Sequence, residues 1–305
     1  MEKGKNMDRL TGIVPPLVTP FGRNEEIDEG AVRAEVQYMI EEVHVHGLVV
    51  GGSTGEGHTL DTDELQRLVR TAVDAAAGRV PVIAGIIVDS TRQAVDRARA
   101  LDDPAVAALQ VTPVHYLFRP TDDAMLEHFR RIAEASSRPV MIYNVVPWSY
   151  CSPALLTRII TEVDNVVGVK QSAGDTKLLA DLLLLLEGRG LVFSAVDALL
   201  YPSFALGADG AIAAILTAAP QLCMDLWHAV QTNDHATARR VHEKLLRIWN
   251  ALLGDNLPAN VKTAMRLQGR AGGVSRAPMP ASSPEQEAAI RVALDASDAK
   301  ASAPI

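Results

Sequence analysis

Apolar positions along the chain gather into short continuous runs at residues 13–18, 48–50, 80–87, 106–111, 140–143, 166–169, 191–193 and 211–215. The runs do not alternate apolar with polar positions, which is the pattern of parallel strands covered on both faces. Longer segments with helical periodicity separate them. Leu65, Leu68, Val69, Ala72, Val73 and Ala76 share one helical face behind Asp61 and Glu64, whose spacing reads as a capping box, and Gly78 ends that helix. Asp28 opens an earlier helix, with Val32, Val36, Met39, Ile40 and Val43 on one stripe. Eight strands alternating with helices predict an α/β fold, a (β/α)8 TIM barrel, with a doubly wound open sheet as the alternative.

After the eighth run the pattern changes. Residues 220–253 read as two helical segments, one marked by a stripe of Val241, Leu245, Ile248 and Leu252. A further helix is expected from near Pro258, a surface loop rich in Ala, Gly, Ser and Pro over 271–284, and a last short helix over 285–294. The expected organisation is a barrel over 1–217 and a C-terminal helical extension over 218–305, an appendage packed on the barrel.

Composition supports this picture. Of 305 residues, 48% are hydrophobic and only 4% aromatic, so the core is built mainly of Ala, Val, Leu and Ile, which suit close packing of helices on a sheet. The net charge of −8 and the lack of a basic cluster argue against a nucleic-acid partner. Cys151 and Cys223 stand far apart, with neither disulfide nor zinc-ligand spacing. Residues 1–9 are charged and lack an apolar leader, and no apolar stretch reaches membrane-spanning length. The expectation is a soluble cytoplasmic protein with no membrane partner.

A barrel of this kind builds its active site at the C-terminal ends of its strands. The unusual residues there are Gly51-Gly-Ser-Thr-Gly-Glu56 after the second run, Thr112 to Tyr116 after the fourth, Tyr143-Asn144 at the fifth, Lys170-Gln-Ser172 at the sixth, and Ser194 with Asp197 after the seventh. Lys170 closes an apolar run, so desolvation should lower its pKa and free a nucleophilic amine able to form an iminium with a ketone. The competing reading is a lysine snorkelling to the rim. Tyr143 could carry protons for such a reaction or simply pack in the core. The glycine-rich turn with Ser53 and Thr54 offers unobstructed N–H groups to a small carboxylate, and it matches neither a P-loop nor a dinucleotide fingerprint.

With these residues in place, the chain resembles the dihydrodipicolinate synthase / N-acetylneuraminate lyase family. The matching stretches include Gly12-Ile-Val-Pro-Pro-Leu-Val-Thr-Pro-Phe21, Gly52-Ser-Thr-Gly-Glu56, Pro81-Val-Ile-Ala-Gly85, Val111-Thr-Pro113, Ile142-Tyr-Asn-Val145, Val167-Gly-Val-Lys170, Leu206-Gly-Ala-Asp-Gly210 and Val261-Lys262. The resemblance implies a lyase, a class I pyruvate aldolase, that forms a Schiff base with pyruvate or a substituted 2-oxo acid and makes or cleaves a carbon–carbon bond. Lys170 would be the Schiff-base lysine, Tyr143 the proton-transfer tyrosine and Ser53 part of a hydroxyl relay. The N–H groups of Ser53 and Thr54 would bind the carboxylate, Ile212 would border the pyruvate, and Glu56 would brace the turn. No metal and no organic cofactor are expected, because the iminium is itself the electron sink. The expected partners are a small 2-oxo acid, an aldehyde and further copies of the chain, as a homotetrameric dimer of dimers.

Several positions depart from the family pattern. Members often carry a second relay tyrosine after the fourth strand, supplied across a dimer interface; here His115 or Tyr116 stands in that place. The arginine that the synthase pattern uses for a distal carboxylate is missing from Val145-Val-Pro-Trp-Ser-Tyr-Cys151. Trp148, Ser149 and Asp197 are instead the expected contacts of the distal half of the substrate. Trp148 and Tyr150 could alternatively pack against a neighbouring subunit, and Asp197 could cap the following helix. A 2-keto-3-deoxy sugar acid aldolase or dehydratase and a dihydrodipicolinate synthase-like enzyme are alternative activities. A catalytically silent regulatory barrel is the non-enzyme alternative. His44 and His46 precede the second strand, on the face opposite to catalysis, and read as surface residues rather than metal ligands.

Overall fold

Continuous apolar runs have no polar face to offer solvent, so they must be covered on both sides, and the computed structural model, which describes residues 10–297, has that arrangement. The charged segment 1–9 lies outside the described residues. The barrel strands are β1 (Gly12–Ile13), β2 (Leu48–Val50), β3 (Val82–Ile86), β4 (Ala108–Val111), β5 (Val140–Asn144), β6 (Val166–Gln171), β7 (Leu191–Ser194) and β8 (Gly210–Ala211). Helices α1 (Glu29–Glu41), α2 (Thr62–Ala76), α3 (Thr91–Ala100), α4 (Asp122–Ala135), α5 (Pro153–Glu162), α6 (Thr176–Leu186) and α7 (Leu200–Ala205) alternate with them. All strand pairs are parallel, in the order β1-β8-β7-β6-β5-β4-β3-β2. The ring closes between β1 and β2 through a parallel bridge of Pro16 with Val49, in which Leu17 N–H donates to the Val49 carbonyl at 2.8 Å and Val49 N–H to that of Pro15 at 2.9 Å.

Two expected strands are shorter than the apolar runs that announce them. The run at 13–18 contains Pro15 and Pro16, which have no N–H for a ladder, so β1 stops at Ile13 and only single bonds continue the closure. The run at 211–215 turns into helix α8 (Ile215–Ala218) after two strand residues. Both segments are buried whichever way the backbone turns, and hydrophobicity alone does not separate strand from buried helix.

The expected helix starts are present. The Asp61 side chain accepts from Glu64 N–H at 2.8 Å while the Glu64 carboxylate accepts from Asp61 N–H at 3.1 Å, which completes the capping box of α2. Leu65, Leu68 and Ala72 on its inner face are buried against the sheet; truncating either leucine to Ala would cost roughly 2–5 kcal/mol. Strand alternation then sorts the core into two layers. Leu48, Val50, Leu109, Val140, Ile142 and Val169 face the helices. Val49, Ile83, Ala108, Met141, Phe193 and Ile212 fill the barrel interior.

The C-terminal helices are α9 (Pro220–Gln231), α10 (His235–Leu252), α11 (Leu257–Leu267) and α12 (Pro284–Ala296). Leu226, Leu245, Ile248, Val261 and Ile290 pack in one cluster with Ile13 and Ala211 of the barrel. Polar ties add to this contact. Arg270 pairs with Glu35 of α1 at 2.8 Å, both buried, and also donates to the Thr217 carbonyl at 2.7 Å. No helix among the described residues is long and apolar enough to cross a membrane.

One surface assignment changes. His44 is exposed, but the half-buried ring of His46 accepts the Ile13 N–H through Nδ1 at 3.1 Å. It packs beside Gly12 at the N-terminal end of the strands, the end away from Lys170.

Candidate active site

Period-two alternation puts Tyr143 on the same face as Met141, toward the barrel axis. Lys170 is its register partner on β6, and Phe193 is that of Lys170 on β7, so all three side chains turn into the barrel interior. The Lys170 ammonium nitrogen lies 3.7 Å from the centroid of the Tyr143 ring. Lys170 is 3% exposed. Burial lowers its pKa to about 7, against an opposing pull from the Asp197 carboxylate. That removes snorkelling as an account of Lys170, since a lysine head at the rim would stay hydrated.

Burial pushes the Tyr143 phenol up to about 12, with a hydrogen bond to the Ser53 side chain working in the other direction and the charge of Asp197 adding to the rise. Tyr143 therefore stays a neutral phenol near neutral pH, bonded to a hydroxyl that leads toward the turn. Burial likewise pushes Asp197 up to about 6, opposed first by hydrogen bonds from the N–H groups of Ile215 and of Asp197 itself and then by the charge of Lys170. Its Oδ1 accepts from Ile215 N–H at 2.7 Å. Asp197 thus holds the start of α8, not of α7, whose N-cap Leu199 receives no side-chain bond.

The glycine-rich turn is tight for a backbone reason. Gly51 has φ +69°, and a Cβ at Gly57 would run into the Gly51 carbonyl. The turn closes with bonds from Glu56 N–H to the Ser53 carbonyl and from Gly57 N–H to that of Gly52, which do not use the N–H groups of Ser53 and Thr54. Thr19 Oγ1 donates to the Gly55 carbonyl at 2.6 Å. Glu56 itself is fully buried in the left-handed region, φ +53°, which costs roughly 1–2 kcal/mol for a non-glycine residue. Its carboxylate accepts from the Lys262 ammonium at 2.5 Å and from Arg276 N–H at 2.9 Å.

These groups border one cavity of about 400 Å³. Ser53, Thr54, Tyr143, Lys170, Asp197 and Ile212, all singled out in the sequence, line it together. Four other expected contacts do not. His115 bonds through Nδ1 to the Pro113 carbonyl at 3.0 Å and sits 3.5 Å from Asp89. The Trp148 indole N–H donates to the His115 carbonyl at 2.8 Å, and the Ser149 hydroxyl donates to that of Val114 at 3.1 Å. These bonds join the loops after β4 and β5 to each other, outside the cavity lining. Tyr116 is 65% exposed. Within one chain, His115, Tyr116, Trp148 and Ser149 therefore stand outside the lining of this cavity, and the bonds between the two loops are the physical reason.

The residues missed in the sequence come from two places. Val145, Val196, Ala195, Ala198, Ala213 and Ala214 stand next to residues already singled out at strand ends, and Ser172 ends the stretch already named at the sixth strand. Trp249, Leu253, Leu257 and Pro258 come from the C-terminal helices and form the rest of the wall. Trp249 follows Ile248 of the buried α10 stripe and is only partly buried, a local signal that it faces something other than the core. Leu253 is a 62% exposed leucine immediately after α10. Among the described residues, no three His, Cys, Asp or Glu side chains converge as metal ligands would.

The model of the dihydrodipicolinate synthetase family matches residues 9–297. The 4-hydroxy-tetrahydrodipicolinate synthase of Bradyrhizobium diazoefficiens is 35% identical over 288 residues, which cover 94% of this chain and 96% of that protein. The crystal structure of dihydrodipicolinate synthase from Aquifex aeolicus superposes with a TM-score of 0.89 at 28% identity, covering 96% of this chain and 99% of the other. YagE from E. coli K12, a prophage protein of the dihydrodipicolinic acid synthase family crystallised in complex with pyruvate, gives a TM-score of 0.89 at 26% identity, covering 95% and 99%.

Proposed function

The chain belongs to the dihydrodipicolinate synthetase family, and from that premise we propose the residues that carry its chemistry. The protein is a Schiff-base-forming lyase of the class I pyruvate aldolase type. Lys170 is the nucleophile. The observation that carries this assignment is its amine, buried at the cavity floor 3.7 Å from the Tyr143 ring and lowered to about 7. Its neutral form adds to the ketone carbon of pyruvate, and loss of water leaves an iminium that withdraws electrons from the adjacent carbon. Removal of a proton from the methyl group gives an enamine. The enamine carbon attacks an aldehyde carbon, the carbonyl electron pair moves to oxygen, and that oxygen takes a proton. Water then releases the product and the lysine; run backward, the same steps cleave a carbon–carbon bond.

Tyr143, a neutral phenol at neutral pH, gives a proton to the reacting oxygen as it takes one through its hydrogen bond with the Ser53 hydroxyl, which passes protons on. The pyruvate carboxylate lies on the N–H groups of Ser53 and Thr54, with Ile212 beneath it. The synthase reaction named for the relatives is the second reading, favoured by the 35% identity over almost the whole chain. Borohydride reduction in the presence of pyruvate tests the assignment directly. An added mass on the peptide containing Lys170 is expected; an adduct on Lys177 or Lys262, or none with any 2-oxo acid, would overturn it.

The exposed apolar side chains Tyr116, Leu117, Phe118 and Trp148, on two loops bonded to each other, suit burial by a second copy of the chain. The proposed state is a homo-oligomer, a dimer of dimers. Cys151 and Cys223, both buried free thiols, suit a cytoplasmic location. Light scattering that finds a fully active monomer would remove the oligomer from this account.

A further inference from the structure

The cavity has a direction. Its floor is Lys170, 3% exposed, and its lip is Leu253, 62% exposed. The groups that handle pyruvate are at the floor. An aldehyde that meets the enamine carbon must therefore point its substituent away from Lys170, toward the lip. The lining includes Trp249, Leu253 and Leu257, contributed by the helical appendage, together with Val145 and Val196 from the barrel loops.

The charge of the wall is equally selective. Lys170 is the sole basic side chain among the described residues that line the cavity, and it is committed to the ketone. Asp197 is the lone acid there, and Ser172 adds a single hydroxyl beyond the pyruvate groups. A second carboxylate would find no arginine fork and would meet Asp197 instead. A chain of several hydroxyl groups would leave most of them without partners against indole and leucine, and unpaired polar groups weaken binding. An apolar substituent loses nothing of the kind and gains by leaving water.

We propose that Trp249, Leu253 and Leu257 form the subsite for the second substrate, and that this substrate is an uncharged aldehyde carrying an aromatic or alkyl group. The proposal rests on the Schiff-base reading of Lys170. Its reaction balances with pyruvate, the aldehyde and water as the class of reactants: one carbon–carbon bond forms at the enamine, the aldehyde oxygen becomes a hydroxyl, and the iminium is hydrolysed. Leu253 and its neighbours are specificity-determining residues, since they touch the substituent and not the reacting atoms.

The experiment uses the full chain with pyruvate and four acceptors: benzaldehyde, butyraldehyde, glyceraldehyde and aspartate semialdehyde. Benzaldehyde or butyraldehyde should exceed both of the others in kcat/KM by about tenfold or more. Leu253→Ser should raise KM for benzaldehyde about tenfold while KM for pyruvate follows that of the wild type. Leu253→Lys, at an exposed position that tolerates charge, should shift preference toward aspartate semialdehyde. A wild-type preference for glyceraldehyde or aspartate semialdehyde would overturn the proposal, as would an unchanged benzaldehyde KM in Leu253→Ser. Borohydride trapping of pyruvate alone keeps the two levels apart. Trapping on Lys170 with the wrong aldehyde preference sinks only the subsite, whereas absent trapping sinks the Schiff-base reading and the subsite with it.

Discussion

Lys262, on the third helix of the appendage, reaches Glu56 in the turn after β2 at 2.5 Å, across 206 positions of sequence. Lys262 also donates to the Val274 carbonyl at 2.6 Å, so both partners are hydrogen-bonded as well as paired. The Glu56 backbone is strained, and the residues pinning its carboxylate come from the appendage. The pair therefore connects the tail helices to the turn that offers Ser53 and Thr54.

Removing one member of a buried pair is costly because the other charge is left without compensation. Lys262→Met should lower unfolding free energy by about 3–5 kcal/mol in urea titration. Adding Glu56→Gln in the same chain should recover most of that loss. A loss below about 1 kcal/mol in the single variant would mean that the pair is open to water.

The depressed Lys170 sets a pH dependence. Below about 7 the amine is protonated and cannot attack; above it the amine is neutral. The initial rate of borohydride trapping with pyruvate should rise through a midpoint near pH 7 and level off above it. A midpoint near 10 would describe a hydrated lysine. The same shift has a stability consequence: between about pH 7 and 10.5 the unfolded chain holds a proton that the folded chain has lost, so this group makes stability rise with pH across that window.

Asp197 raises Lys170 by its charge and also holds the Ile215 N–H. Asp197→Asn keeps an oxygen to accept that N–H and removes the charge. The midpoint of the trapping profile should move to lower pH, since the ammonium loses its stabilising neighbour. An unmoved midpoint would leave Asp197 a purely structural residue.

Tyr143→Phe retains the ring beneath the Lys170 amine and removes the hydroxyl. Turnover should fall about 10²–10⁴-fold, the scale of lost general acid–base catalysis, with little change in thermal stability. Near-normal turnover would reduce Tyr143 to packing.

The sequence by itself determined the barrel, because eight apolar runs without alternation, separated by capped amphipathic helices, have few other ways to bury both faces. It also picked out the polar groups that meet at the floor of the cavity. Lys170, Tyr143, Ser53 and Thr54 sit at strand ends, where backbone geometry dictates direction, so local pattern was enough to bring them to one end. His115, Tyr116, Trp148 and Ser149 lie in loops, where no periodicity assigns a direction, and sequence placed them in the substrate's path. Tertiary structure bonded those two loops to each other and took them out of the cavity. In their place it brought Trp249, Leu253 and Leu257, about a hundred positions further along the chain, through the docking of α10 and α11 on the open end of the barrel. That docking depends on the summed packing of Ile13, Ala211, Leu226 and Leu245 and on buried pairs such as Glu35–Arg270, long-range contacts that leave no periodic trace near the residues they position.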